Sequence, residues 1–187
     1  MEFKLASIFL PKNKMRRHNS YRKKGFDYSN SAYYFVTCVT KNRDRCFGKI
    51  KNRRIILSKN GKLVKKQWHW LEKQYPYIKS HAFIVMPDHI HGILEIERTK
   101  KITKIRNYEK SEISEYEFLY TLQPHLKIKS LSELIGAFKT TSSKIIHLEG
   151  YKDFGWQRSF HDHIIRNPTS YKLIKTYIWT NPFRWKN

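Results

Sequence analysis

Two histidines lie one residue apart in the apolar segment "PDHIHGILEIE" of residues 87–97. Side chains of a β-strand alternate between its two faces, so His89 and His91 are predicted to share one face, with Ile90 and Ile93 assigned to the other. Two imidazoles on one face can bind a divalent metal ion if other segments supply further ligands. Two solvated histidines on the polar face of a strand would give the same pattern.

A second candidate group lies near the end of the sequence, in "IKTYIWTNP" at residues 174–182. Tyr177 and Asn181 are four residues apart and therefore share one face of a helix. A phenol and an amide oxygen on that face could complete a site with the histidines. Packing of Tyr177 beside its apolar neighbours, with Asn181 ending the helix before Pro182, explains the same spacing, so both interpretations stay open.

Strands that could position the histidines are predicted from runs of β-branched and aromatic residues bounded by turn residues. These runs lie at residues 32–40, 46–50, 53–57, 77–86 and 89–97. The second and third flank a short polar turn and predict a hairpin. The last two are joined by a turn-prone "PDH" and predict an antiparallel pair.

Three helices are predicted. The first begins at Ser58, carries Leu63, Val64, Trp68 and Leu71 on one face, and ends at Pro76. The second begins with the capping-box pair Ser130 and Glu133, carries Leu134, Phe138, Ile145 and Leu148 on one face, and ends at Gly150. The third has Asn167 and Pro168 as its first residues and runs to Asn181 and Pro182. Together the elements predict an α+β fold, in which one antiparallel sheet has helices mainly on one face.

The composition points to a polyanionic partner. The chain has 187 residues with 38 Lys and Arg against 15 Asp and Glu, a formal charge of +23, and 40% hydrophobic residues. This content predicts one folded domain, and the charge favours nucleic acid over a membrane surface. The first 24 residues carry no apolar run long enough for a signal peptide or a membrane span, which predicts a cytoplasmic protein without a membrane partner.

Four blocks of the sequence, in their order, carry a family resemblance: "GFDYSNSAYYFVTCVTKNRDRCFGKI", "FIVMPDHIHGILEIE", "LIGAFKTTSSKII" and "WQRSFHDHIIRNPTSYKLIKTYIWTNPFRW". Together they resemble the REP-associated tyrosine transposases, relatives of the single-strand insertion-sequence transposases in the HUH nuclease superfamily. The resemblance covers roughly residues 20–187 and omits 98–129. We therefore expect a basic arm at 1–30 and an HUH transposase domain at 31–187 that contains an insertion at 98–129.

The resemblance implies a ferredoxin-like sheet whose central strand carries His89 and His91 as metal ligands. It implies that Tyr177 is the catalytic nucleophile and that Asn181, one helical turn later, is the third ligand of Mg²⁺ or Mn²⁺. In such enzymes the tyrosine attacks a phosphodiester of single-stranded, hairpin-containing DNA. A 5′-phosphotyrosine and a free 3′-hydroxyl result, so the strands can be rejoined.

Binding of single-stranded DNA combines cations along the backbone with aromatic faces for the bases. The candidates of this type are Arg22, Lys23, Lys24, Trp156, Arg158 and Arg166. Trp156 is equally compatible with a place in the core.

Two other functions remain open at this stage. One is a catalytically idle, site-specific DNA- or RNA-binding protein of the same fold, and the other is a basic RNA-binding module that needs no metal. The sequence leaves open the target hairpin, the metal, whether the gene is mobile or domesticated, and whether the protein is a monomer or a homodimer.

The charge of +23 generates a first prediction. Nucleic-acid binding should be dominated by release of counterions, so affinity should fall by orders of magnitude over a few-fold rise in salt. Fluorescence anisotropy with labelled single-stranded DNA at increasing salt measures the slope. A flat response would rule out electrostatically dominated binding.

Overall fold

The computed structural model describes residues 25–98 and 128–185, which form six strands, three helices and a 3₁₀ turn at Lys41–Arg43. In chain order the elements are β1 (Ala32–Val39), β2 (Gly48–Lys51), β3 (Arg54–Leu57), α1 (Lys59–Gln74), β4 (Ile78–Val85), β5 (His89–Ile96), α2 (Leu131–Leu148), β6 (His161–Ile165) and α3 (Pro168–Arg184). Most of the predicted basic arm and of the predicted insertion lies outside the described residues.

Four strands form the main sheet in the order β4-β5-β1-β6, and every neighbouring pair is antiparallel. The chain makes two β-α-β units, and the strands of each unit flank one strand of the other. This is the ferredoxin-like arrangement. The predicted α+β fold is confirmed, and β5 with its two histidines lies in the middle of the sheet. The strands β2 and β3 form the separate hairpin that the sequence predicts.

One face of the sheet is covered by α1 and α2. The strand residues that point to this face include Tyr34, Val36, Cys38, Ile90 and Leu94, all fully buried. They pack against apolar side chains of the two helices, among them Trp68 of α1 and Phe138 of α2. Two of the three helices therefore lie on one face, as predicted.

The other face is covered by α3. Phe35 of β1 and Ile93 of β5 pack there against Ile174 and Ile178 of the helix. The assignment of Ile93 to the face opposite the histidines was wrong. Ile93 lies two residues after His91, and a strand repeats every two residues, so both side chains point toward α3.

The helices begin as predicted. The side chains of Ser58 and Asn167 accept hydrogen bonds from backbone N–H groups in the first turns of α1 and α3. The side chains and backbone N–H groups of Ser130 and Glu133 form the complete capping box of α2. In the part of the chain that the structure describes, no helix is long and apolar enough to cross a bilayer.

Two details of the helices differ from the predictions. The last helix continues to Arg184, with Pro182 inside it, because Asn181 and Pro182 are buried and packing outweighs the hydrogen bond that proline removes. In α2, Leu148 is 78% exposed, and the buried stripe runs from Phe138 through Ser142 and Ile146. The stripe therefore shifts around the helix, away from the predicted position of Leu148.

Gly92 generates a prediction about stability, because it packs beneath the indole of Trp68. A Cβ at Gly92 would lie 2.3 Å from that ring, whereas a Cβ at Gly136, exposed on α2, would meet nothing within 4 Å. Gly92→Ala should therefore destabilise the fold by about 1–3 kcal/mol. The matched substitution Gly136→Ala should stabilise it by about 0.5–1 kcal/mol, because alanine favours helix. Urea denaturation measures both, and an unchanged stability of Gly92→Ala would contradict the close packing.

Candidate active site

The two histidines of β5 converge on one point. His91 is 2% exposed and His89 is 9% exposed, and both point toward α3. Their Nε2 atoms are 3.1 Å apart. The shared strand face that the sequence predicted therefore places two imidazole nitrogens side by side at the buried surface between the sheet and α3.

Each imidazole is held through its other nitrogen. Nδ1 of His89 is 2.5 Å from Oδ1 of Asp88, and Nδ1 of His91 is 2.8 Å from Oγ1 of Thr37. Thr37 reaches His91 because the two residues are paired across β1 and β5. Hydrogen bonds at Nδ1 fix the ring orientation and leave both Nε2 atoms directed at the common point.

Asp88 is itself fixed by the segment that follows β1. The backbone carbonyl of Asp88 accepts hydrogen bonds from the N–H and the hydroxyl of Thr40, both at 2.9 Å. Burial opposes ionisation of the carboxyl. The hydrogen bond to His89 and the charges of His89 and Arg43 outweigh it, however, and hold the pKa of Asp88 below its ordinary value. Asp88 is therefore a carboxylate at neutral pH.

These partners determine where the imidazole protons lie. A carboxylate only accepts hydrogen bonds, so His89 carries a proton on Nδ1. Burial, followed by the neighbouring His89, holds the pKa of His91 well below its ordinary value, so His91 is neutral. The hydroxyl of Thr37 can donate to Nδ1 of His91 or accept from it. Nε2 of His91 can therefore lose its proton by a change of tautomer while Nδ1 keeps its partner.

The helix α3 brings Tyr177 to the histidines. Its hydroxyl is 3.5 Å from Nε2 of His91, and the two ring centroids are 5.3 Å apart. The ring of Phe35 stacks on His91 at 5.4 Å and meets Tyr177 edge-on at 6.1 Å. The ring of Phe35 therefore packs against both His91 and Tyr177 and holds the two side chains next to each other.

Asn181 lies one turn after Tyr177 and is also buried. Burial raises the pKa of the Tyr177 phenol above its ordinary value, while a hydrogen bond from Asn181 and the charge of Arg184 oppose this rise. The guanidinium carbon of Arg184 lies 6.0 Å from the centre of the Tyr177 ring. The structure thus brings Tyr177 to the two histidines, and Asn181 contacts Tyr177.

Several residues of this site were not predicted from the sequence. Asp88 and Thr37 hold the imidazoles, Arg184 acts on Tyr177, and the ring of Trp185 lies 5.9 Å from that of His89. The role of Asp88 could have been predicted, because Asp88 directly precedes His89, but this part of the sequence was interpreted only as a turn. The role of Thr37 could not, because its contact with His91 depends on the register between two strands.

The predicted DNA-binding residues lie in different places. Trp156 is partly buried: it packs against Phe47, Phe138 and Phe154 at the edge of the core, its Nε1 donates a hydrogen bond to Ser142, and it also lines a groove beside α2. Arg22, Lys23 and Lys24 lie outside the described residues.

Arg158 is exposed and lines a groove of ≈ 820 Å³ beside α2, together with several other cations. Lys139 holds this loop, because its Nζ donates to the carbonyls of residues 157, 158 and 159. Arg166 is exposed at a smaller groove of ≈ 320 Å³ beside the start of α3. These residues are not brought to the histidines, and the groove beside α2 lies on the opposite face of the sheet.

A second polar cluster lies at the other end of α3. The hydroxyl of Tyr171 is 3.0 Å from Nδ1 of His81, and Nε2 of His81 is 2.7 Å from a carboxylate oxygen of Glu95. Each end of the apolar contact between α3 and the sheet therefore has a tyrosine hydroxyl beside a histidine. Tyr171 does not reach the histidines of β5.

The side chains available as ligands limit how the site could hold a metal ion. Within residues 25–98 and 128–185, no group of three or more His, Cys, Asp or Glu residues is placed to bind one ion. An ion on His89 and His91 would take its remaining ligands from Asn181, from water or from a bound substrate. Such a set is open, as catalytic sites require.

Comparison with solved structures finds weak likenesses. The REP-associated tyrosine transposase bound to a REP hairpin is similar with a TM-score of 0.49 and 18% identity, over 89% of this chain and 74% of that one. A protein of Deinococcus radiodurans R1 described as a candidate transposase has a TM-score of 0.40 and 18% identity, over 84% of this chain and 96% of that one. At these values the likenesses do not establish a function.

Comparison of sequences gives a closer relation. No protein-family model matches the chain. A protein of Haemophilus influenzae (strain KW20 / Rd), described as uncharacterized, is 30% identical over 177 residues, which cover 92% of each sequence. The chain therefore belongs to the same family as this Haemophilus influenzae protein.

Proposed function

We propose that the protein is a metal-dependent tyrosine transposase that cleaves and rejoins single-stranded, hairpin-containing DNA. The observation that carries the proposal is the convergence of three groups. The Nε2 atoms of His89 and His91 are 3.1 Å apart, and the Tyr177 hydroxyl is 3.5 Å from the second of them. A metal-ligand pair and a nucleophile at such distances are what transfer of a phosphodiester to a protein hydroxyl requires.

The residues fit a divalent ion. Two ligands that each lie about 2.1 Å from one ion, at neighbouring positions around it, are separated by roughly 3 Å. Asn181 could supply an oxygen as the third ligand. Imidazole favours zinc and other transition metals, whereas the amide oxygen and the resemblance favour magnesium or manganese; Mn²⁺ is the transition metal that meets both arguments. Such an ion would polarise the scissile phosphate and offset its developing negative charge.

Tyr177 would act as the nucleophile. Its oxygen forms a bond to phosphorus while the bond from phosphorus to the 3′ oxygen breaks, which leaves a 5′-phosphotyrosine and a 3′-hydroxyl. The phenol loses its proton, and the leaving 3′ oxygen gains one. Burial makes that loss harder, and the hydrogen bond from Asn181 and the charge of Arg184 make it easier.

Nε2 of His91 lies 3.5 Å from the phenolic hydroxyl, but the burial that lowers the pKa of His91 makes this imidazole a weak acceptor for the phenolic proton. The same nitrogen cannot accept a proton while it binds a metal. In the metal-bound protein the charge of the ion, rather than His91, would therefore favour the phenolate.

Several observations support DNA as the substrate. The formal charge of +23 and the exposed Arg158 and Arg166 suit a polyanion. A protein with a weakly similar structure is described as bound to a REP hairpin. For a catalytically idle DNA- or RNA-binding protein of the same fold, the hydrogen bonds that orient both imidazoles beside Tyr177 would have no role.

The metal site generates a prediction. Titration calorimetry with Mn²⁺ should show one site in the full chain, and the site should be lost in His89→Ala because one of its two imidazoles is removed. The control is His81→Gln, which alters a histidine that also lies beneath α3 but belongs to the second polar cluster. Equal Mn²⁺ affinity of His89→Ala and the unaltered protein would exclude this metal site.

The nucleophile generates another prediction. Tyr177→Phe removes only the hydroxyl, so the ring should keep its packing against Phe35, and the variant should still retard hairpin DNA in a gel. With Mn²⁺ present it should give no cleavage and no denaturation-resistant protein–DNA adduct.

The matched control is Tyr171→Phe, which removes another hydroxyl of α3 that contacts a histidine of the sheet. This variant should still form the adduct, because its Tyr177 is intact. Adduct formation by Tyr177→Phe at the level of the unaltered protein would mean that the nucleophile lies elsewhere.

A further inference from the structure

Four residues of α3 form a ladder along the helix: Tyr171, Lys175, Trp179 and Phe183, each four positions after the one before. At 3.6 residues per turn, such residues lie on one nearly continuous stripe. This ladder begins at the second polar cluster, where Tyr171 meets His81, and turns gradually from the sheet toward solvent. Its last three residues, Lys175, Trp179 and Phe183, are called the α3 stripe below.

The α3 stripe exposes two large aromatic side chains. Trp179 is 57% exposed and Phe183 is 61% exposed. Nζ of Lys175 lies 4.9 Å from the centre of the Trp179 ring and 5.7 Å from that of Tyr171, so the cation is held between the two aromatic rings. Large rings left this accessible on a surface helix commonly mark a binding surface.

The charge around the α3 stripe indicates the class of its partner. No Asp or Glu occurs between residues 163 and 187, whereas Arg166, Lys172, Lys175 and Arg184 lie in this part of the chain. A second copy of the protein docked through the same helix would bring like charges together, which disfavours self-association. Cations interleaved with exposed aromatic rings are the combination that binds single-stranded nucleic acid.

One polar side chain beside the α3 stripe, that of Thr180, is bonded to the helix itself. The hydroxyl of Thr180 donates a hydrogen bond to the carbonyl of Thr176 at 2.9 Å, within the same helix. The stripe therefore offers ring faces and positive charge, without this hydroxyl for reading base edges. Binding through it should tolerate different sequences, because every base has a face that can stack.

We propose that the α3 stripe stacks unpaired bases of a single-stranded segment that adjoins the phosphodiester presented to Tyr177. The link to Tyr177 rests on the proposed function, whereas stacking on the stripe does not. Trp179 follows Tyr177 by two residues and lies on the opposite side of a helix about 10–12 Å across, so a few nucleotides span the distance. Base-paired DNA keeps its bases stacked inside the duplex and cannot use the rings in this way.

The test uses the full chain and fluorescence anisotropy with a labelled oligothymidine that has no hairpin. Trp179→Ala and Phe183→Ala should each weaken binding roughly 5- to 150-fold, the range expected when one stacked base is lost. Trp179→Phe, which keeps an aromatic ring, should restore most of the affinity. The matched control is Leu173→Ala, because Leu173 is a partly exposed apolar residue of the same helix that does not belong to the stripe.

Three results would overturn the proposal. Trp179→Ala and Phe183→Ala could bind oligothymidine as tightly as the unaltered protein. The two substitutions could weaken binding of a blunt duplex of the same length as much as binding of oligothymidine, which would indicate general charge attraction instead of stacking. Sedimentation could show a dimer of the unaltered protein that both substitutions dissociate, which would make the α3 stripe a contact between copies of the chain.

Failure of this proposal is distinguishable from failure of the proposed function. Mn²⁺ binding to His89 and His91 should be unaffected by Trp179→Ala, because the side chain points away from the sheet. Conversely, Tyr177→Phe should bind oligothymidine normally even though it forms no adduct. If only the stripe variants lose binding of oligothymidine, stacking of bases on the α3 stripe is supported, whatever the outcome of the adduct experiment.

Discussion

The contact between α3 and the sheet determines every distance in the candidate site. Ile174 and Ile178 are at most 1% exposed and lie on either side of Tyr177 in sequence, packed against Phe35 and Ile93. The phenol therefore cannot shift relative to His91 without disturbing a close-packed core, which costs free energy. Tyr171 adds a hydrogen bond at the other end of the helix, so α3 is fixed both along its axis and around it.

Local patterns predicted the parts of this arrangement that depend on neighbours in sequence. The alternation of β5 placed His89 and His91 on one face, and the four-residue spacing placed Tyr177 and Asn181 on one side of a helix. The capping residues Ser130 and Asn167 fixed where two helices begin. That the two pairs meet came from the family resemblance, since no spacing within one element determines which face of a sheet a distant helix covers.

What could not be predicted depends on contacts across the fold. Thr37 orients His91 only because β1 and β5 pair in one register, and no local feature of the sequence encodes that register. Pro182 suggested that α3 ends early, but burial of that turn outweighs the lost hydrogen bond. Trp156 was compatible with either DNA or the core, and the structure places it at the boundary, against three aromatic rings and beside the groove next to α2.

Under the proposed function, charge also constrains how metal and DNA bind. A chain of formal charge +23 repels a divalent cation, and the carboxylate beside the histidines, Asp88, already hydrogen-bonds to His89 and pairs with Arg43. Phosphate oxygens would bring the missing negative charge to the ion and screen the surrounding cations. Metal and DNA would then each raise the affinity for the other, because coupling between two binding sites is reciprocal. The neutral state of His91 favours metal binding, because a protonated imidazole would have to release its proton before it could bind the ion.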